Sequence, residues 1–201
     1  MNTNGDTRPT RFAATVLFVD MVDSTRRAVE LGDSEWVDLQ AEHDAMLRRT
    51  VRRFGGRRLQ TLGDGLVAVF AAASPCVRCG TAIAVGSRLL GVEIRAGIHA
   101  GDCEQRGIHL GGIVFHIAAR ILGRAGASEV LVSRAVKELV SEEGFVFRRR
   151  GRHRLKGLPG EWPLYAVDMV STRELRVGAP EPPLAPVAVA AAPAAAQCDS
   201  A

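Results

Sequence analysis

Residues 13–25 read AATVLFVDMVDST. Ala13 to Val19 is an apolar, β-branched run, the composition of a buried strand. Asp20 closes that run, so a carboxylate is predicted at the rim of a sheet, facing the space beyond the strand end. Asp23, Ser24 and Thr25 follow as helix-capping residue types. Further on, Trp36, Leu39, His43, Met46, Leu47 and Phe54 recur at helical spacing, and Gly55-Gly56 ends that helix. Arg58 to Leu62 and Leu66 to Phe70 read as short strands around Gly63-Asp64-Gly65, a hairpin signal. Pro75 opens a helix running to about Leu90. Val92 to His99 reads as the next strand. This order, βαββαβ, predicts an α+β, ferredoxin-like fold.

Beyond it, Gly111-Gly112 leads into a helix from Ile113 to about Leu122. Glu129 to Val132 reads as a strand, with Ser133 capping a short helix. Phe145 to Arg149 and Leu164 to Val167 read as late strands. Together these predict a small C-terminal α/β appendage. Residues 1–10 are polar and expected to be flexible. Residues 171–201 include APEPPLAPVAVAAAPAAAQ, whose prolines forbid a continuous helix, and are expected to form a disordered Pro/Ala-rich tail. The folded domain is thus expected over residues 11–170.

The chain has 201 residues, enough for one domain with a real core. Hydrophobic residues make up 47% and charged residues 24%, the balance of a globular domain. No apolar run is long enough to span a membrane, and no secretory apolar core opens the chain, so a cytoplasmic location is expected. The net charge of +4 suits a partner rich in phosphate. The aromatic fraction of 5% offers no stacking platform among the cations, which argues against a nucleic-acid surface. The run Arg148, Arg149, Arg150, Arg152, Arg154 is read as a solvated strand face. Cys76 and Cys79 form CVRC without a second pair, so two thiols on a helix near the core are expected rather than a metal or redox site.

Asp64 sits at the hairpin tip between two glycines that allow close backbone approach to a ligand. If the first strand pairs beside this hairpin, Asp20 and Asp64 converge. Converging carboxylates repel unless a cation lies between them, and magnesium takes one or two carboxylates plus phosphate oxygens. Taken singly, Asp64 also reads as an ordinary turn residue and Asp20 as a helix-flanking one.

FVDMVDST, LGDG, IRAGIHAG, GGIVFHIAAR and LKGLPG occur in this order. Together they resemble the class III adenylate/guanylate (nucleotidyl) cyclase catalytic domain, over about residues 13 to 168. The resemblance implies two divalent metal ions, Mg²⁺ or Mn²⁺, held by Asp20, Asp64 and the backbone carbonyl of Met21. It implies that the ribose 3′-hydroxyl of ATP, or of GTP, attacks the α-phosphorus and pyrophosphate leaves. Arg120 falls on the family's transition-state arginine, and His116 on the position that orients the ribose. They are four positions apart, so they share one helical face, while Ile117, Ala118 and Ile121 point to the core. Arg95 matches a triphosphate-binding arginine, and Lys156 a phosphate-binding lysine. Gln60 and His109 take the base-reading positions but match neither the adenine nor the guanine pattern; each can donate or accept a hydrogen bond. His99 is expected to be structural. The resemblance also implies a homodimer, because each site draws residues from two subunits. The alternatives are a non-catalytic cyclase homology domain that binds nucleotide or a partner, and a basic nucleic-acid-binding module.

Overall fold

The structure, a computed structural model, describes residues 9–59 and 65–168. Among these, the chain forms one mixed sheet flanked by helices. In chain order the elements are β1 (Thr10–Met21), α1 (Ser24–Leu31), α2 (Asp33–Arg53), β2 (Arg57–Leu59), β3 (Leu66–Phe70), α3 (Ala73–Leu89), β4 (Ile94–Arg106), β5 (His109–Gly111), α4 (Ile113–Leu122), β6 (Glu129–Ser133), α5 (Arg134–Leu139), β7 (Val146–His153) and β8 (Trp162–Asp168).

The sheet runs β2-β3-β1-β4-β6-β8-β7, with β5 pairing β4. The first four strands have the expected ferredoxin-like order. The expected C-terminal α/β appendage follows, and it continues the same sheet, because β6 pairs β4 in parallel and carries β8 and β7 onto it. β1 and β4 are longer than their apolar runs, since Thr10 to Met21 pairs residue by residue with Gln105 to Ile94. Thr10, expected in the loose N-terminus, thus opens β1. Gly32, with φ 77° and ψ 167°, an extended positive-φ conformation that suits glycine, divides the expected single helix into α1 and α2. The expected tail, residues 171–201, lies outside the described residues.

Alternation along the strands divides the core. Leu17, Val19 and Met21 of β1, with Ile94, Ala96 and Ile98 of β4, pack beneath α2 and α3. Ala14, Val16 and Phe18 face the other way, toward Val114 and Ala118 of α4. α4 seats directly on β4 because position 97 is glycine. A Cβ there would lie 2.2 Å from the Leu122 nitrogen and 2.6 Å from the Ala118 carbonyl oxygen. Ile117 and Ile121 of α4 pack with Leu131, Leu155 and Leu164 in a third cluster.

Cys76, Cys79 and Cys103 are buried free thiols, and burial pushes Cys103 up to about 11. The arginine run lies mostly on the exposed edge strand β7. Arg150 pairs with Glu129 at 2.7 Å and Arg148 with Asp168 at 3.5 Å. A charged edge of this kind resists pairing with further strands. No helix among the described residues is long and apolar enough to cross a membrane.

Candidate active site

β1 delivers Asp20 to the sheet rim on the face that α4 covers, since Asp20 shares the parity of Val16 and Phe18. The antiparallel register sets Asp20 directly opposite Arg95 of β4. Arg95 donates from Nε at 3.0 Å and from Nη2 at 2.5 Å, both to Asp20 Oδ2. Both side chains are part-exposed and line a cavity of about 670 Å³, together with Met21 and the start of α1. Oδ1 accepts no hydrogen bond from the described residues. Within about 4 Å of it is the position a Gly65 side chain would take, at 3.8 Å. β3 pairs with β1 up to Val19 and Leu66, so one step further along the register brings Gly65 opposite Asp20. Asp64 and Gln60 lie outside the described residues. Asp20 is thus a half-neutralised carboxylate whose second oxygen faces the start of β3. It can hold a hard cation, and Arg95 can bind an anion beside it.

The remaining sequence-predicted residues do not line this cavity. His116 and Arg120 are exposed on α4, one turn apart, while Val114, Ile117, Ala118 and Ile121 are buried. His109 is exposed on the short strand β5, and Lys156 is exposed in the turn before β8. The structure therefore brings together Asp20, Met21 and Arg95, and sets His116 and Arg120 apart from them on the helix. His99 is structural, as expected. Its Nδ1 lies 2.8 Å from Ser133 Oγ, its ring meets Trp162 edge-on, and burial pulls it down to about 4.

Asp23 is the N-cap of α1, as its residue type leads one to expect, but in an unexpected conformation. Asp23 makes no side-chain capping bond; it sits in the left-handed region with φ 54°, beside Arg26, and lines the cavity. An acid capping residue and an acid in a left-handed turn have the same local sequence, so the signal was a positive-φ requirement that sequence spacing does not report.

A ferredoxin-like sheet, an acid at the end of its inner strand and a polar-faced helix across one face are the arrangement that the cyclase resemblance implies. Comparison with family models bears this out: the adenylate and guanylate cyclase catalytic domain matches residues 9–169. The chain belongs to that family, the class III nucleotidyl cyclases. Among solved structures it is similar to the adenylyl cyclase CyaB from P. aeruginosa, with 21% identity and a TM-score of 0.75 over 82% of this chain and 98% of that one. It is also similar to an adenylate/guanylate cyclase/hydrolase from Silicibacter pomeroyi, with 20% identity and a TM-score of 0.72 over 80% and 98% of the two chains. A third is the non-canonical dimeric guanylyl cyclase domain of the RhoGC fusion protein from the aquatic fungus Blastocladiella emersonii, with 16% identity and a TM-score of 0.69 over 79% and 97%. Comparison with curated proteins finds no match.

Proposed function

We propose that the chain is an active cyclase that converts ATP, and also GTP, to the 3′,5′-cyclic monophosphate and pyrophosphate. The ribose 3′-oxygen loses its proton to solvent water and bonds to the α-phosphorus. The bond from that phosphorus to the bridging oxygen breaks, and pyrophosphate leaves with the electron pair.

In this reading Asp20, the Met21 carbonyl and Asp64 hold two divalent ions, Mg²⁺ or Mn²⁺. The donor set fits them, because it is all hard oxygen and Asp20 Oδ1 accepts no hydrogen bond from the described residues. Among the described residues no group of three or more metal-ligating side chains gathers, and a site completed by phosphate oxygens needs none. When bound, the ions supply the charge that lowers the hydroxyl pKa and offsets the triphosphate. Arg95 binds the triphosphate from the cavity wall, and Lys156 binds phosphate. Arg120 places a guanidinium fork on the charge that builds at the α-phosphoryl oxygens, and His116 orients the ribose. Gln60 and His109 face the base. Neither completes an adenine- or guanine-specific pair, which is why both purines are included. A cytoplasmic location accompanies such a substrate.

The observation that carries this reading is the division of the machinery. Asp20 and Arg95 share one cavity, whereas His116 and Arg120 stand exposed on a helix that does not line it. Residues that one copy does not bring into one cavity can be brought together by a second copy, and a symmetric homodimer holds two such sites. Exposed Ile108 and Ile113, flanking His109 and opening α4, support an apolar contact on that face. The test is incubation with ATP or GTP and Mg²⁺ or Mn²⁺, beside Asp20→Ala. Cyclic product from the unaltered chain and none from the variant is expected. No product with any metal and nucleotide, at high protein concentration, points instead to the non-catalytic homology domain.

A further inference from the structure

α4 ends at Leu122, but the helical spacing of its polar face continues one step: His116, Arg120, Arg124. The Arg124 amide still donates to the Ile121 carbonyl at 2.9 Å, so the backbone keeps turning past the helix end. Its guanidinium leaves the helix. Nη2 donates to the backbone carbonyl of Arg154 at 2.8 Å, thirty residues away in sequence.

Arg154 is two residues before Lys156. Between them Leu155 is buried and packs with Ile117 and Ile121 on the inner face of the same helix. After them the Leu158 amide donates to the Leu155 carbonyl at 3.0 Å and closes a four-residue turn. Lys156 stands in the second position of that turn and Gly157, with φ 81°, in the third. A positive φ at that place is the mark of a type II turn and suits glycine. The turn therefore rests on α4 at two points. The Leu155 side chain fixes it from within, and Arg124 fixes it from the rim.

We infer that Arg124 is a positioning residue: it fastens the Lys156 turn to the helix that carries Arg120, so that the two cations meet a nucleotide triphosphate as one rigid unit. The inference rests on the proposed roles of Arg120 and Lys156. A single apolar anchor leaves a turn free to pivot about it, whereas a second tie at an adjoining residue removes that freedom. Ordering Lys156 before the nucleotide arrives lowers the entropic cost of binding. A guanidinium suits the tie because its planar fork is held with less loss of freedom than a lysine stem.

The test is a double-mutant cycle on the full chain, with KM and kcat for the nucleotide and hydrogen exchange at Leu158. Lys156→Ala is expected to raise KM by about tenfold. Arg124→Ala is expected to raise KM several-fold with kcat little changed, and to speed exchange of the Leu158 amide. The double variant is expected to be no worse than Lys156→Ala, because a tie has no effect once the group it positions is gone. Additive effects in the double variant would mean that Arg124 acts on the nucleotide independently of Lys156 and would overturn the inference. If Lys156→Ala raises KM and Arg124→Ala changes neither KM nor exchange, the inference falls and the proposed function stands. If Lys156→Ala is silent, the phosphate role of Lys156 falls, and the inference with it.

Discussion

Replacing Gly97 by alanine tests the seat of α4, and through it the placement of Arg120. The added Cβ would lie 2.2 Å from the Leu122 nitrogen, 2.6 Å from the Ala118 carbonyl oxygen and 2.7 Å from the Leu122 Cα. Ordinary separation between such atoms is about 3.5 Å. All three are helix backbone, so no side-chain rotation relieves the overlap, and the helix must lift by roughly 1 Å. Overpacking of this kind costs about 1–3 kcal/mol, and the upper end is expected between a central strand and a helix backbone. For a domain of this size about 3 kcal/mol corresponds to a fall in Tm of roughly 6–12 °C. Lifting α4 also moves Arg120 and His116, and a misplacement of about 1 Å can cost on the order of a hundredfold in turnover. The assays are thermal unfolding by circular dichroism and cyclic-nucleotide formation. Gly111→Ala is the control, because a Cβ there meets nothing within 4 Å, and it should change stability by less than about 0.5 kcal/mol. A Gly97→Ala chain with unchanged Tm and full turnover would refute the argument that glycine is required for this contact.

If the proposed homodimer holds, mixing Asp20→Ala with Arg120→Ala, each expected to be inactive alone, should restore about a quarter of the unmixed activity, because half the dimers would be mixed and each of those would have one intact site of two. No recovery, with mixed dimers demonstrated by cross-linking, would place both residues in one subunit's site. Burial pulls His99 from 6.5 to about 4. Below about pH 6.5 the unfolded chain takes up a proton that the folded chain refuses, so the His99 contribution is complete above that pH and is lost as pH falls toward 4. Between pH 7 and 5 the loss is roughly 2 kcal/mol by urea unfolding, and His99→Gln should flatten it; equal slopes in the two proteins would show that the imidazole titrates freely in the fold. Asp23 occupies the left-handed region at φ 54°, so Asp23→Val should cost about 2 kcal/mol and Asp23→Gly much less. Equal stability of those two variants would contradict the backbone assignment.

Local pattern was enough for the elements and for the division of faces on α4. Leu66–Phe70 and Ile113–Leu122 have the boundaries expected from their apolar runs and flanking glycines. The burial of Ile117, Ala118 and Ile121 beside exposed His116 and Arg120 follows from the 3.6-residue period. The family was legible too, because five short motifs in a fixed order carry information that none carries singly. Tertiary structure decided what depends on register and packing between distant segments. The Asp20–Arg95 pair joins residues 75 apart, and a register one residue different would have turned Arg95 to the other face of the sheet. The continuation of the sheet through β6 required a parallel partner for β4, which neither strand's composition specifies. The tie from Arg124 to Arg154 depends on where a loop lands on a helix. Periodicity and capping act within a few residues and are written in the chain, whereas strand registers and loop contacts arise only when the core closes and selects one arrangement among several that the local pattern permits.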